Sequence, residues 1–275
     1  MDRYAVIGWP LDYTRSPQIH RRFAESCAEA LTYEAHPVAP EDLADTLQAF
    51  RERPSMHGFN VTVPHKESVM ARCDALGDEA AEAGAVNTVI IDRSTTTPRM
   101  VGHNTDGAGL VQDLTQRHGV SLNGARLLMV GAGGAARGTC GPLLRAGCAS
   151  IDVVNRTAAR AEALVEHLRA RGHSANLAAV TRAALEGQAP YDVVINATSS
   201  GMQGAVPDLP PKIIREAFCY DMLYGEDTPF ERWARSAGAR QVATGLGMLV
   251  EQAAEAFHLW RGVRPPTNAV FDLLR

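Results

Sequence analysis

The feature that most constrains this chain is an apolar run that leads directly into a cluster of glycines. Residues 126–137 read RLLMVGAGGAAR. An apolar strand, a glycine turn and a helix, in that order, place backbone N–H groups at a helix N-terminus, where no bulky side chain holds an anion away. Gly131 permits the tight turn, Gly133 permits close approach of a pyrophosphate, and Ala136 permits close packing of helix on strand. The segment therefore predicts a dinucleotide-binding βα unit.

The end of the next predicted strand, over residues 151–155, indicates which dinucleotide is bound. An NAD-specific unit usually carries Asp or Glu there, but this chain has Asn155, Arg156 and Thr157, with Arg160 one turn later. A carboxylate would repel a 2′-phosphate, whereas two guanidiniums beside a hydroxyl can bind it through charge-assisted hydrogen bonds. We therefore predict NADP(H) rather than NAD. The alternative is that Arg156 and Arg160 form a solvated helix face.

Composition and charge favour small-molecule chemistry. The chain has 275 residues, of which 45% are hydrophobic and 21% charged, so it can form two domains or one large α/β domain. A net charge of −4 gives no basic surface for nucleic acid or for an anionic membrane. We expect a small-molecule substrate, no nucleic-acid or membrane partner, and a monomer or homodimer.

Cysteine and histidine spacing argues against disulfides and metal sites. The five cysteines are scattered without a C-x-x-C pair, and the nine histidines show no H-E-x-x-H spacing. The N-terminus begins as a strand rather than as a basic segment followed by an apolar core, and no apolar run has the length of a membrane span. These features predict reduced thiols, no metal and a cytoplasmic location.

Hydrophobic periodicity predicts two α/β units. In the first hundred residues we predict strands over 4–8, 31–37 and 58–64, a helix over 40–53, and a strand pair over 85–92 and 99–102. Ser16 is the predicted N-cap of an earlier helix, with Pro17 as its first residue.

A helix predicted over 106–119 leads to the dinucleotide unit. Its strands are predicted over 126–131, 151–155, 192–197 and 219–222. Because they alternate with helices, we predict a Rossmann-like, doubly wound parallel sheet. A last helix, over about 248–261, is expected to return to the first domain. We therefore predict a substrate-binding domain of residues 1–105, completed by 246–275, and an NADP-binding domain of residues 106–245.

Motifs that span nearly the whole chain resemble those of the shikimate dehydrogenase family. They are TRSP (14–17), NVTVPHK (60–66), GAVNT (84–88), NTDG (104–107), GAGGAAR (131–137), NRT (155–157), NATSSG (196–201), YDMLY (220–224) and GLGMLV (245–250). The resemblance implies NADPH-dependent, reversible reduction of 3-dehydroshikimate to shikimate in aromatic amino acid biosynthesis. It also implies a substrate domain and a cofactor domain around a cleft.

The resemblance also implies roles for individual residues. Lys66 and Asp106 match the family's catalytic pair, which handles the proton when a ketone is reduced. The implied substrate ligands are Thr14, Ser16, Asn60, Thr62, Asn87, Tyr224 and Gln252. The implied cofactor-binding residues are Gly131, Gly133, Gly134, Ala135, Asn155, Arg156, Thr157, Arg160, Thr198, Met222 and Gly245.

Each of these residues also has a purely structural interpretation. Lys66 can be a solvated surface lysine, and Asp106 or Ser16 can simply cap a helix. Asn60 and Thr62 can form hydrogen bonds within a strand, and Gln252 can be a polar helix position. Taken as a set, the residues favour a pocket.

Departures from the family pattern leave other functions open. Thr14 replaces a usual serine, Arg15 a usual lysine and Thr244 a common aspartate, while His65 and His103 also depart from it. The extra methyl of Thr14 narrows the predicted carboxylate pocket. The two histidines can tune the local field near Lys66 and Asp106 or sit at the rim of the site, and we expect the rim. The alternatives are a quinate or shikimate dehydrogenase-like paralogue of broader or catabolic specificity and, in another class, a non-catalytic NADPH-sensing module.

Overall fold

Strands and helices alternate along most of the chain. The computed structural model describes residues 1–12, 14–173, 177–225 and 227–274. The strands are β1 (Asp2–Gly8), β2 (Leu31–Pro37), β3 (Met56–Val61), β4 (Ala75–Leu76), β5 (Thr88–Asp92), β6 (Arg99–His103), β7 (Arg126–Val130), β8 (Ser150–Val154), β9 (Leu177–Val180), β10 (Val193–Asn196), β11 (Phe218–Asp221) and β12 (Gln241–Thr244). The α-helices are α1 (Ser16–Cys27), α2 (Leu43–Glu52), α3 (Lys66–Met70), α4 (Asp78–Ala83), α5 (Asp106–Gln112), α6 (Gly134–Arg145), α7 (Ala158–Ala170), α8 (Pro229–Ser236), α9 (Leu246–Arg261) and α10 (Asn268–Leu274).

The chain divides into two units. The first comprises Met1–Gly109 with Val250–Arg275, and the second comprises Leu110–Leu249. The divisions fall inside α5 and α9, whereas the sequence predicts domain limits at residues 105 and 245. No α-helix in the described part of the chain combines the length and the hydropathy needed to cross a membrane.

The first unit contains a mixed six-stranded sheet in the order β2-β1-β3-β5-β6-β4. Strand β1 runs parallel to β2 and β3, and β5 runs antiparallel to β3 and β6. The predicted strand pair is confirmed as β5 and β6, with Thr88 opposite His103. Both faces of β1 are buried: Ala5 and Ile7 join one apolar cluster, while Tyr4 and Val6 join another.

Helix α9 packs on this same sheet, which confirms the predicted return of this helix to the first domain, and α10 follows it. The Trp260 indole N–H donates to the Val89 carbonyl at 3.0 Å. A Cβ on Gly58 would lie 2.9 Å from Trp260 Cδ1, so the glycine makes room for the indole. Arg261 adds ion pairs of 2.5 Å to both Asp2 and Glu29.

The second unit contains a parallel six-stranded sheet in the order β12-β11-β10-β7-β8-β9. Both faces of this sheet are covered, because alternate residues of the central strand β7 point into two apolar cores on opposite sides. Leu127 and Met129 lie in one core, and Leu128 and Val130 in the other. Burial of each such side chain contributes roughly 1.5–3 kcal/mol. This order confirms the predicted Rossmann-like fold, in which ligands bind beyond the carboxyl ends of the strands where β7 meets β10.

Several predicted element ends differ from the structure. Ser16 is not an N-cap: Arg15 precedes the helix, and Ser16 is its first residue. The Ser16 N–H instead donates to Thr14 Oγ1 at 3.3 Å, a local turn that competes with capping. The helix predicted over 106–119 changes at Asp113–Arg117 into a π-helical turn and ends there.

Candidate active site

An amine and a carboxylate are in contact in the first unit. Lys66 and Asp106 are the first residues of α3 and α5, and Lys66 Nζ lies 2.5 Å from Asp106 Oδ2. The side chain of Asp106 is 9% exposed and that of Lys66 is 24% exposed. An ammonium has three N–H donors, so one partner leaves donors for a ligand. The pair can therefore hold a proton at the lysine nitrogen and exchange it with a ligand oxygen.

The Asp106 carboxylate does not act as a helix cap. The backbone N–H of Asp106 donates to Asn104 Oδ1 at 3.1 Å, so an asparagine side chain serves the start of α5. The two carboxylate oxygens are used elsewhere: Oδ2 pairs with Lys66, and Oδ1 accepts a hydrogen bond from Asn87 Nδ2 at 2.7 Å. This arrangement favours a chemical role over a capping role for Asp106.

Asn87 is the centre of the polar network around this pair. Its Oδ1 accepts the backbone N–H of Thr105 at 2.9 Å, and its Nδ2 lies 3.3 Å from Gln252 Oε1. Helix α9 brings Gln252 to this point because Gly109 has no side chain: a Cβ there would lie 2.6 Å from the Gln252 backbone nitrogen. Two residues 165 positions apart in sequence thus meet beside Asp106.

The other predicted ligands of the first unit lie near the ends of β1 and β3. Asn60 is buried and uses both amide hydrogens within the protein, donating to the Asn87 carbonyl at 3.2 Å and to Thr88 Oγ1 at 3.0 Å. The backbone N–H of Thr62 donates to the Ile7 carbonyl at 2.9 Å. The hydroxyls of Thr14 and Ser16 lie 3.3 Å apart.

Three further residues belong to this network and were missed by sequence reasoning. The Tyr33 hydroxyl donates to Asn60 Oδ1 at 2.7 Å, the Thr88 hydroxyl donates to Asn87 Oδ1 at 2.9 Å, and the Thr105 hydroxyl lies 3.0 Å from Asn87 Nδ2. Thr88 and Thr105 stand inside the motifs at 84–88 and 104–107, which was the available signal. Tyr33 lies in an ordinary strand pattern, and nothing in the sequence around it indicated a role in the site.

The glycine turn of the second unit has the form that a bound pyrophosphate requires. Gly131 has φ +106°, a conformation that side chains disfavour, and its N–H donates to the Val154 carbonyl at 2.8 Å. Gly133 precedes α6, and no side chain caps that helix. A Cβ at Gly133 or Gly134 would meet no atom within 4 Å. The first N–H groups of α6, including that of Ala135, are therefore accessible to an anion.

The turn after β8 carries the predicted phosphate-binding side chains. Asn155 Nδ2 donates to the Thr157 carbonyl at 2.9 Å and so holds the turn, and Thr157 is the N-cap position of α7. Arg156 and Arg160 are exposed on either side of it. Two guanidiniums at this turn, without a carboxylate, match the charge of a 2′-phosphate.

Three more predicted cofactor residues follow β10, β11 and β12 at the same edge of the sheet. Thr198 Oγ1 donates to Asn196 Oδ1 at 2.7 Å, and the Met222 N–H donates to the Asn196 carbonyl at 2.9 Å. A Cβ on Gly245 would lie 2.8 Å from the Met222 carbonyl carbon, so the backbones of Gly245 and Met222 approach closely. The end of β11 also leads to Tyr224, which is 37% exposed and belongs to the second unit.

A buried carboxylate holds the turns after β10 and β11. Asp221 accepts hydrogen bonds from Asn196 Nδ2 at 3.0 Å, from the Leu223 N–H at 3.2 Å and from the Thr228 hydroxyl at 2.7 Å. Burial raises the pKa of Asp221, and these donors act against that rise. The carboxylate therefore orders the backbone that carries Thr198 and Met222.

Comparison with known proteins assigns the chain to a family. Residues 6–89 match a model described as the shikimate dehydrogenase substrate binding domain, residues 113–203 match shikimate / quinate 5-dehydrogenase, and residues 245–274 match the shikimate 5′-dehydrogenase C-terminal domain. A relative from Alkalilimnicola ehrlichii named shikimate dehydrogenase (NADP(+)) is 48% identical, and the match covers 100% of this chain and 98% of that protein. The chain belongs to the shikimate dehydrogenase family.

Solved structures agree with this family assignment. An Ael1 enzyme from Pseudomonas putida has a TM-score of 0.92 and 41% identity, with coverage of 100% of this chain and 98% of that one. Shikimate 5-dehydrogenase from Thermus thermophilus, in complex with NADP(H) and shikimate, has a TM-score of 0.85 and 33% identity, with coverage of 99% and 98%. Both of these structures therefore share the fold of this chain.

One departure from the shikimate dehydrogenase pattern has a structural explanation. The expectation that His65 sits at a pocket rim is wrong: the ring is 2% exposed, and its Nε2 lies 2.7 Å from the Val38 carbonyl. His103 is half-buried, and burial lowers its pKa. A buried ring beside Lys66 in sequence thus anchors the turn before α3 to the chain after β2.

Proposed function

We propose that this protein is an NADP(H)-dependent shikimate dehydrogenase that reduces 3-dehydroshikimate to shikimate, reversibly, in aromatic amino acid biosynthesis. The observation that carries the proposal is the contact of Lys66 with Asp106, with Asn87 on the second carboxylate oxygen. The name of the Alkalilimnicola ehrlichii relative and the ligands of the Thermus thermophilus structure support the same activity.

In this proposal the first unit binds the substrate and the second binds NADP(H). The substrate domain is residues 1–105 with 246–275, and the NADP-binding domain is residues 106–245. The division of the chain into compact units after Gly109 and Leu249 supports this organisation and puts Asp106 in the same unit as Lys66. The protein acts in the cytoplasm on a small-molecule substrate, as a monomer or homodimer without nucleic-acid or membrane partners. The net charge of −4 supports this choice of partner.

Hydroxyl and amide side chains suit a polyhydroxylated carboxylate substrate. A missing substrate hydroxyl would leave a buried polar group unpaired, which gives such a pocket its discrimination. We assign substrate binding to Thr14, Ser16, Thr62, Asn87, Tyr224 and Gln252. Asn60 has both amide hydrogens engaged inside the protein, so a role in holding its neighbours fits it better than a role as a donor to substrate.

The cofactor-binding residues form three groups. Gly133, Gly134 and Ala135 bind the pyrophosphate through backbone N–H groups at the start of α6, and Gly131 forms the tight turn that leads to them. Asn155, Arg156, Thr157 and Arg160 form the site for the 2′-phosphate, and Thr198, Met222 and Gly245 line the remaining edge of the sheet. When bound, NADPH supplies the hydride that reduces the carbonyl carbon.

The proton is handled by the first unit. The Lys66 ammonium donates a proton to the carbonyl oxygen as that oxygen becomes a hydroxyl, and in the reverse direction the neutral amine accepts it. Asp106 holds the amine in place and stabilises its charged form, and Asn87 holds Asp106. With Asp106 9% exposed, the surrounding protein limits the access of water to this exchange.

The choice of lysine at position 66 supports proton transfer. Among 27 basic residues of the chain, only Lys66 and Lys212 are lysines, and the others are arginines. A guanidinium does not lose its proton under physiological conditions, whereas an amine can. Lysine is thus used at the one position where our proposal requires a proton to leave.

Substitution of Lys66 tests the proposal. Lys66→Met should lower shikimate oxidation roughly 10²–10⁴-fold, the contribution expected of general acid–base catalysis, with NADP binding unchanged by fluorescence titration. Lys66→Arg keeps the charge and should be equally impaired, while Lys212→Met, at an exposed site in the second unit, should be active. Undiminished turnover by Lys66→Met would remove this residue from the mechanism.

A substrate panel separates the proposal from its two alternatives. Turnover should be highest with shikimate and NADP, compared with quinate and with NAD. The second candidate, a quinate or shikimate dehydrogenase-like enzyme of broader specificity, has the narrowing methyl of Thr14 in its favour, and preference for quinate would establish it. Binding of NADPH without turnover of any of these substrates would indicate a sensing module.

A further inference from the structure

Four buried side chains form a continuous hydrogen-bonded line behind Asp106. They are Tyr33, Asn60, Thr88 and Asn87, and each is at most 7% exposed. The successive distances from the tyrosine hydroxyl to the carboxylate are 2.7, 3.0, 2.9 and 2.7 Å. All four residues lie in the first unit, so the line is internal to one body of the protein.

The direction of the first half of this line is fixed by a backbone carbonyl. One amide atom of Asn60 lies 3.2 Å from the Asn87 carbonyl oxygen, which can only accept, so this atom is the nitrogen. The amide oxygen of Asn60 therefore faces the Tyr33 hydroxyl, which must donate to it. The second amide hydrogen of Asn60 donates to Thr88 Oγ1.

The direction of the second half is fixed by a backbone N–H. The N–H of Thr105 can only donate, and it lies 2.9 Å from one amide atom of Asn87, which must be the oxygen. The Thr88 hydroxyl accepts from Asn60, so its own proton points to this same oxygen. The nitrogen of Asn87 is then left to donate to Asp106 Oδ1.

We infer that Tyr33 and Thr88 are positioning residues for the Lys66–Asp106 pair: every donor in the line points toward Asp106, and the line holds the Asn87 amide with its N–H on the carboxylate. This inference rests on the proposed catalytic role of that pair. Hydrogen bonds in series polarise one another, and the last one, to a charged oxygen, is the strongest. Rotation of the Asn87 amide would instead direct its carbonyl at the carboxylate.

Tyr33 is well suited to begin such a line. Burial raises the pKa of Tyr33 well above the ordinary value, so the hydroxyl stays protonated and acts as a hydrogen-bond donor. The ring of His20 stacks on the tyrosine ring with centroids 4.1 Å apart and an interplanar angle of 6°. Burial lowers the pKa of His20 to about 3, so this neighbour is uncharged near neutral pH and places no positive charge beside the line.

Loss of single hydroxyls tests the inference. Thr88→Val removes the donor to Asn87 and should lower kcat about 10-fold, the effect of losing one hydrogen bond that acts on a charged group. Thr88→Ser keeps the hydroxyl and should stay within about 3-fold of wild type. Tyr33→Phe removes the far end of the line and should lower kcat less than Thr88→Val does. The solvent isotope effect on kcat should rise with each loss, because proton transfer becomes more rate-limiting.

Tyr4→Phe is the matched control. Tyr4 lies directly opposite Tyr33 in the β1–β2 register and is equally buried, but its hydroxyl lies 3.3 Å from Arg261 Nη1 and outside the line. Its kcat and isotope effect should match wild type even if its unfolding midpoint falls. A structural effect alone would change stability in both tyrosine variants without a change in isotope effect.

The outcomes separate this inference from the proposed function. Wild-type kcat and isotope effect in Thr88→Val, alongside an inactive Lys66→Met, would overturn the line and leave the proposed function standing. An active Lys66→Met would overturn the proposed function whatever the Thr88 variants do. If Thr88→Val does not fold, Tyr33→Phe decides: an unchanged isotope effect there overturns the inference, and a raised one supports it.

Discussion

Protonation of His20 should determine how steeply the first unit loses stability in mild acid. The ring is 1% exposed and is enclosed by the rings of Phe23, Tyr33, Phe257 and Trp260. Burial in this aromatic environment lowers the pKa of His20 from 6.5 to about 3. The folded protein therefore keeps the ring neutral at a pH where the unfolded chain protonates it.

The sign and size of the effect follow from this difference in proton binding. Between pH 6.5 and about 3 the unfolded state binds one more proton than the folded state, so the free energy of unfolding falls as the pH falls. The loss is about 1.4 kcal/mol per pH unit once the pH is well below 6.5. From pH 7 to pH 5 it amounts to about 2 kcal/mol.

Urea unfolding at pH 7 and at pH 5, for wild type and for His20→Phe, measures this loss. Tryptophan fluorescence reports on the first unit through Trp9 and Trp260 and on the second through Trp233, and the Trp260 ring lies 5.4 Å from that of His20. Phenylalanine has a similar size and can stack in the same place, so the variant should lose about 2 kcal/mol less than wild type between the two pH values.

The comparison of two proteins removes the contribution of other groups. Burial also lowers the pKa of His103 and of His118, and these rings act with the same sign in both proteins. His258→Gln, at an exposed position of α9, is the control and should keep the wild-type pH dependence. Equal pH dependence in wild type and His20→Phe would refute the argument that burial keeps this ring neutral.

Two further predictions concern the second unit. Arg156→Ala should weaken NADP binding roughly 10–100-fold and NAD binding by less than about 3-fold. The control Arg171→Ala, beyond the far end of α7, should change the binding of neither dinucleotide. Equal weakening of both dinucleotides by Arg156→Ala would contradict a contact with the 2′-phosphate. Tyr220→Phe should lower the free energy of unfolding by about 3 kcal/mol in urea, because the buried hydroxyl donates to Asp113 at 2.7 Å and accepts the Met248 N–H at 3.2 Å. A loss below about 1 kcal/mol would show that water replaces these bonds.

Local chemistry explains why parts of the fold were predictable. The positive φ of Gly131 and the uncapped start of α6 follow from the glycine cluster itself, because only residues without a side chain allow that backbone. The parallel sheet follows from apolar segments that alternate with helices. Strand direction in the first unit was not predictable in this way, because the antiparallel placement of β5 depends on pairing with β3 and β6.

The polar residues of the site also divide into those that the sequence identified and those that depend on tertiary structure. Lys66, Asp106 and Asn87 were identified from motifs, and their catalytic and binding roles remain predictions. The sequence did not reveal that Asn60 uses both amide hydrogens internally, or that Tyr33 donates to it. The strand pattern at position 33 is compatible with any buried aromatic residue. Only the pairing of β2 with β1, and of β1 with β3, places the Tyr33 hydroxyl at Asn60.

The amino-acid sequence by itself determined the elements whose geometry is decided within a few residues: the glycine turn, the apolar strands and the arginine-bearing turn after β8. Tertiary structure alone decided the contact of Lys66 with Asp106, which are 40 residues apart, and the approach of Gln252 to Asn87. The physical reason is that hydrogen bonds act over about 3 Å, so a polar network exists only after sheet pairing and the return of α9 have brought distant segments together.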